Sequence, residues 1–237
     1  MIALVFALPQ ESQGVVAALR SPVRTGSTAL PVVTGWLGNR NVLVLHTGVG
    51  ATAARRTLAH YWEMRETYGG RWDVLITAGF AGGLDPSLPA GALVLGGSDP
   101  LMLERARELL GKRAHVGGLA TTFEPLETVE AKEVFFRETG ALAVDMETEA
   151  VAAFCRESGV SWLAVRGISD PAGMPFPVPY DVCFDATTQQ PLPGALFRFL
   201  ALHPGRAFPF ARFVWNVRRA QRTLTAALLK LVEKLYD

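Results

Sequence analysis

Short apolar runs that stop at glycine or a polar residue alternate along this chain with stretches whose apolar positions recur every three or four residues. Residues 2–8 read as a first buried strand and 10–19 as a helix. Residues 32–37 and 41–46 flank Gly38-Asn39-Arg40, a hairpin pattern. Residues 51–66 have helical spacing with basic outer positions, and the apolar run 74–78 stops at Gly79-Phe80-Ala81-Gly82-Gly83. Residues 92–95, 116–122, 141–144 and 162–168 read as further strands, and 101–110, 129–138 and 147–157 as helices. Residues 171–193 are proline-rich and loop-like. Residues 211–235 read as a long final helix with Phe213, Val217, Leu224, Leu228, Leu231 and Leu235 near one face. The alternation predicts an α/β fold: one three-layer domain whose mostly parallel, mixed central sheet is flanked by helices.

At 237 residues, 49% of them hydrophobic, the chain suits a domain with a large core. The expected division is an α/β unit over residues 1–172, with a proline-rich loop and basic C-terminal helix over 173–237 packed on or attached to it. Net charge is only +1, which gives no general case for nucleic acid. The charge is uneven, however. From Gln190 to Asp237 eight Arg and Lys face Glu233 and Asp237, so this tail carries +6 and the remainder −5. Cys155 and Cys183 form neither a disulfide framework nor a metal set, and His46 and His60 lack metal spacing. No metal is expected. The apolar start is too short and lacks the basic leader of a signal peptide, and no uncharged run reaches the length of a membrane span. A reducing, cytoplasmic setting is expected.

The chemistry sits where apolar runs end, which is where α/β sheets present their ligand sites. Asp145-Met146-Glu147 follows one such run. Asp145 suits a helix cap; Glu147 is placed to accept hydrogen bonds from two vicinal hydroxyls, as on a ribose. Asp170 ends the run 162–168 and suits a general acid that protonates a departing base, with Ser169 to orient it. Arg166 lies on the same strand and needs a partner: Glu147, the nucleophile or an anion. Glu11, just past the first strand, reads alone as a solvated first-turn residue and beside the other acids as an activator of water. Thr47-Gly48-Val49-Gly50 superficially matches a dinucleotide fingerprint, but the next strand ends without its confirming acid. It reads better as a glycine turn that lets backbone approach a small ligand, and Gly79, Gly82 and Gly83 fit the same description.

As an ordered set these segments resemble the nucleoside phosphorylase and nucleosidase superfamily, and within it the methylthioadenosine/S-adenosylhomocysteine nucleosidases. The likeness runs from residue 2 to about 172 through Ala7-Leu8-Pro9-Gln10-Glu11, Thr47-Gly48-Val49-Gly50, residues 78–84, Val144-Asp145-Met146-Glu147 and Arg166-Gly167-Ile168-Ser169-Asp170. The resemblance implies roles. Glu11 falls on the water-activating glutamate, Met146 and Glu147 on the ribose contacts, Asp170 on the acid that protonates purine N7 with Ser169 beside it, and Arg166 on the arginine near the nucleophile. It also implies an oxocarbenium-like transition state, no metal or organic cofactor, and a homo-oligomer. The chain departs from the pattern in three places. Phe80 stands where a small serine is usual. No aromatic-rich insert appears between Gly97 and Val116, which leaves Phe123 as the nearest aromatic base contact. Asp170-Pro171-Ala172-Gly173 replaces a more acidic ending. The proline-rich, basic tail resembles the hopanoid-associated phosphorylases, which implies an adenosylhopane-like lipid substrate and weak association with the inner membrane surface.

The expected reaction is cleavage of the N-glycosidic bond of a purine nucleoside, a 5′-substituted adenosine. The turn at Leu8-Pro9-Gln10-Glu11 has neither the glycine nor the arginine of a phosphate cradle, which favours hydrolysis. The subgroup resemblance favours phosphorolysis, with phosphate as co-substrate. A third reading is a non-catalytic nucleoside-binding or membrane-docking protein, for which Phe80 and the shortened base cover are the best support and against which Glu11, Glu147 and Asp170 argue.

Overall fold

The computed structural model describes residues 1–185, 188 and 190–235; the end of the tail, at residues 236 and 237, lies outside them. Strands β1 (Ile2–Phe6), β4 (Arg40–His46), β5 (Val74–Gly83) and β10 (Trp162–Asp170) run parallel to one another in the order β4-β1-β5-β10. β2 (Arg20–Gly26) and β3 (Pro31–Leu37) extend the sheet antiparallel beyond β4. On the other side β6 (Leu93–Gly97) pairs antiparallel with β10, and β7 (Ala114–Val116) parallel with β6. β8 (Leu119–Thr121) and β9 (Ala143–Asp145) pair in parallel, and β9 joins the end of β5 at Gly82 and Gly83. The mixed, helix-flanked sheet is the expected α/β architecture.

Alternation along β1 shows how the layers form. Ile2, Leu4 and Phe6 face a core shared with α1 (Pro9–Ala18), α3 (Pro100–Leu110) and α8 (Ala207–Lys234), which contributes Leu224, Leu228 and Leu231. Ala3 and Val5 face the opposite core, closed by Leu58 of α2 (Ala51–Glu63) and by Val151 and Phe154 of α5 (Thr148–Ser158). α8 lies close against β10: a Cβ at Gly167 would sit 3.3 Å from the Ala220 carbonyl oxygen.

Five local differences separate the structure from the sequence reading. β2 is fully exposed, so its sequence lacks the alternation that marks a half-buried strand. β5 runs on through its glycines to Gly83, held on both sides by backbone pairing rather than by side chains. The single strand read at 116–122 is two strands divided at Gly117-Gly118. The segment read as a loop, 171–193, folds into α6 (Tyr180–Cys183) and the small β11 (Phe184–Asp185) and β12 (Gln190–Pro191) pair, and α7 (Pro193–Leu202) follows in a stretch to which the sequence reading gave no element; residues 186, 187 and 189 lie outside those described. α8 starts at Ala207, before the expected 211, because Pro209 sits in its first turn, where no backbone N–H donor is needed. Helix α4 (Val129–Thr139) completes the elements around the site, with Thr128 accepting from the Ala131 amide as its cap.

Candidate active site

The ends of β1, β9 and β10 lie together, and each is followed or closed by an acidic group. Glu11 is in the first turn of α1, where its burial departs from the solvated reading. Its Oε2 accepts from the Leu8 amide and its Oε1 from the Phe80 amide, both at 2.9 Å. The second bond needs close approach to β5. A Cβ at Gly79 would lie 2.6 Å from Glu11 Oε1, so only glycine leaves room for this carboxylate. Burial raises the Glu11 pKa, opposed by the two amides and by the Arg166 charge.

Arg166, on β10, pairs with Asp145 and not with Glu147. Its Nε donates to Asp145 Oδ2 at 2.5 Å, and its Nη2 to the hydroxyls of Thr77 and Thr148 at 2.9 Å. Asp145 Oδ1 also accepts from the Thr148 amide at 3.1 Å and the Thr121 hydroxyl at 3.0 Å, which ties the start of α5 to the sheet. Both members of the pair are buried. This network leaves Glu147 beside it, at the head of α5, where Oε1 accepts from the Gly50 amide at 2.6 Å. The glycine turn 47–50 thus delivers a backbone donor to an acid. Burial, then the Asp145 charge, push the Glu147 pKa up to about 8; Arg166 and the Gly50 amide oppose the shift.

The third acid is held by a residue the sequence reading did not single out. A register shift between Ile168 and Asp170 bulges β10 at its end, and both Ser169 and Asp170 are buried there. The Ser169 hydroxyl donates to Asp170 Oδ1 at 2.6 Å. Lys132 of α4, 1% exposed, donates through Nζ to Asp170 Oδ2 at 2.6 Å and to the carbonyls of Asp170 and Met174 at 3.0 Å.

Glu11, Glu147, Ser169 and Asp170 line one cavity of about 380 Å³, within the range of small-molecule sites. Phe80 and Met146 are also on its wall. The opposite side is aromatic: Phe176, Tyr180, Phe184 and Phe213, with Phe176 and Phe213 ring centroids 5.1 Å apart. Phe123 is not part of this wall. It is 89% exposed and borders two outer grooves, one with Ala51, Thr52 and Arg55 and a larger one that shares Val49, Met146 and Tyr180 with the cavity. Gly79 and Arg166 are not on the cavity lining; Gly79 leaves room for Glu11, and Arg166 holds Asp145.

The family model of the phosphorylase superfamily matches residues 1–98 and 97–190. The chain belongs to the phosphorylase superfamily. A relative named 5′-methylthioadenosine/S-adenosylhomocysteine nucleosidase, from Lysinibacillus sphaericus, is 26% identical over 215 residues, covering 76% of this chain and 90% of its own. The fold matches a solved structure of the nucleosidase of that name from S. pneumoniae with a transition-state inhibitor: TM-score 0.74, 18% identity, 99% of each chain covered. It also matches futalosine hydrolase of Helicobacter pylori at TM-score 0.72 and 17% identity, over 98% of this chain and 97% of that one. The chain is an enzyme of this nucleosidase and phosphorylase kind.

Within the superfamily frame, the aromatic cover comes from residues 176–184 and from α8, after the last acid, and not from an insert before residue 116. Sequence reasoning missed Phe176, Tyr180 and Phe184 because prolines hid the order of the segment that carries them. Lys132 did carry a signal: it shares a face of α4 with Phe135 and Phe136, three and four residues on, and a lysine inside an apolar stripe needs a buried partner.

Proposed function

We propose that this enzyme hydrolyses the N-glycosidic bond of a purine nucleoside, a 5′-substituted adenosine. The observation that carries the reading is the convergence of Glu11, Glu147 and Asp170, from three separate strand ends, on one cavity. Glu147 accepts hydrogen bonds from the ribose hydroxyls. Glu11 takes a proton from water at C1′; its burial makes it a stronger base than a solvated carboxylate. Asp170, oriented by Ser169, gives a proton to N7 as the C1′–N9 bond breaks and its electron pair leaves with the base. The aromatic wall takes the apolar bulk of the substrate.

Phosphorolysis is the alternative, and the cations argue against it. Among the described residues, the two buried at this site, Arg166 and Lys132, are both spent on carboxylates, Asp145 and Asp170. Phosphate would also enter beside Glu11. A lipid-bearing, adenosylhopane-like substrate is favoured by one feature, the apolar helix α7 packed beside α6, whose Tyr180 and Cys183 line the cavity. Adenine release from adenosines carrying methylthio, homocysteinyl or alkyl groups at C5′ tests the reading. Release from at least one, strongly slowed in Asp170→Asn, supports it; release from none rejects it.

We further propose weak association with an anionic membrane surface. No buried residue is found in α7, and Phe197, Leu202, Phe208 and Trp215 are exposed. Residues 186–232 contain seven Arg and Lys and no Asp or Glu. One-signed charge mixed with exposed aromatics suits a lipid headgroup layer, whereas two copies of this face would repel. Among the described residues no helix is long and apolar enough to cross a membrane.

A further inference from the structure

A general acid must carry a proton, yet Asp170 stands against a buried ammonium. Three of the acceptors around Lys132 Nζ are backbone carbonyls, those of Asp170, Pro171 and Met174; the carboxylate is the only charged one among the contacts seen. Removing two opposite charges from water is costly, and neighbouring carbonyls alone would hold a closing turn. The ion pair therefore points to a use for the charge. We propose that Lys132 is a positioning residue for departure of the base, an inference that rests on the glycosidic cleavage proposed above. It fixes Asp170 Oδ2, so that Oδ1, the oxygen next to Ser169, meets the base.

It also receives the charge that proton transfer leaves behind. The C1′–N9 bond breaks and its pair goes to the purine. The Asp170 O–H bond breaks and the N7–H bond forms. Asp170 is then a carboxylate, and Lys132 pairs it. The ammonium–carboxylate contact seen in the structure is the arrangement after transfer. Such pairing strengthens as the proton moves, so it lowers the barrier and not merely the energy of bound substrate. Gly82 leaves space for this geometry, since a Cβ there would lie 3.2 Å from Asp170 Oδ2.

The test compares two leaving groups. Adenine in 5′-methylthioadenosine needs protonation; nitrophenolate in p-nitrophenyl β-D-ribofuranoside does not. In Lys132→Met the loss of kcat on the adenosine should exceed the loss on the nitrophenyl riboside by about tenfold or more, in the range of general acid catalysis. Lys132→Arg should recover part of it. Equal losses on both substrates would show a purely structural role and overturn the proposal, as would no loss on either. Because Lys132→Met strands Asp170, the double variant Lys132→Met/Asp170→Asn removes both charges together. It should be no slower on the adenosine than Asp170→Asn alone, since the two act as one unit; multiplied losses would overturn the proposal. If the wild-type protein cleaves the nitrophenyl riboside but no adenosine, protonation of the base is not part of its chemistry and the proposal fails. If it cleaves neither, the glycosidic reading itself fails and takes the proposal with it.

Discussion

The strand-end site and the C-terminal segment 193–215 handle charge and apolar surface in opposite ways. At the site, Glu11, Asp145, Arg166, Lys132 and Asp170 are all buried, and each has a partner within 3 Å. In the segment the arginines are exposed, and so are Phe197, Phe208 and Trp215. Buried charge is tolerated only where geometry satisfies it, so the first region is rigid by necessity. Exposed apolar surface of one charge sign adds little to the fold, so the second is available for a surface outside the molecule. A change in the first should reach both folding and chemistry, and a change in the second should reach neither.

The largest effect is expected at Asp170. Asp170→Asn keeps the shape but cannot donate a proton, and kcat should fall by about 10²–10⁴-fold with KM little changed. Steady-state kinetics on an adenosine substrate checks this, and normal turnover would remove Asp170 from the mechanism. Next comes Asp145. Asp145→Ala leaves the Arg166 guanidinium buried without its carboxylate, which should cost about 3–5 kcal/mol by urea unfolding. A cost near that of an exposed pair would mean the site is open to water.

Glu147 sharpens the contrast through pH. In the folded protein its carboxyl is held neutral until about pH 8, while in the unfolded chain it ionises near 4.5. The folded state therefore binds the extra proton between these values, and this group's stabilisation is lost as pH rises through the window. Burial raises Glu11 as well and adds in the same direction. Glu147→Gln should flatten the fall of Tm between pH 5 and 8, and unchanged slopes would show that the carboxyl is not buried in solution. Glu147 should also make a 2′-deoxy substrate poorer than its ribo counterpart, a hydrogen bond to a neutral carboxyl being worth about 0.5–1.5 kcal/mol. Equal kcat/KM for the two would break the ribose assignment.

The smallest effect on the fold is expected in the exposed segment. The double variant Phe197→Ala/Trp215→Ala should leave Tm and turnover of a soluble substrate within error and reduce flotation with anionic vesicles at low salt. If the wild-type protein does not float under those conditions, the membrane association is wrong. A large fall in Tm would instead show that the aromatics pack.

Much of the site could be read from the sequence because strand ends are local features. Glu11, Glu147 and Asp170 each follow or close an apolar run; the parallel strands β1 and β10 bring two of these ends together, and β9 brings the third by pairing antiparallel with the end of β5. What could not be read depends on contacts distant in sequence. Lys132 meets Asp170 38 residues away, and nothing local to either names the other. Arg166 had two acids within reach, and the choice of Asp145 over Glu147 rests on how α5 starts after β9. Phe123 is close in sequence to the site strands but points out, whereas Phe213, 43 residues beyond Asp170, reaches the cavity because α8 packs back across β10. α7 stayed hidden because its apolar residues have no core to face and so mark no single stripe.

The central claim is that Glu11 directs water, and not phosphate, at C1′. Turnover of an adenosine substrate in ¹⁸O-labelled water with phosphate present tests it most directly. The account predicts adenine together with a free sugar labelled at C1′, at a rate independent of phosphate and nearly abolished in Glu11→Gln. Unlabelled sugar 1-phosphate, formed only when phosphate is added, would contradict it.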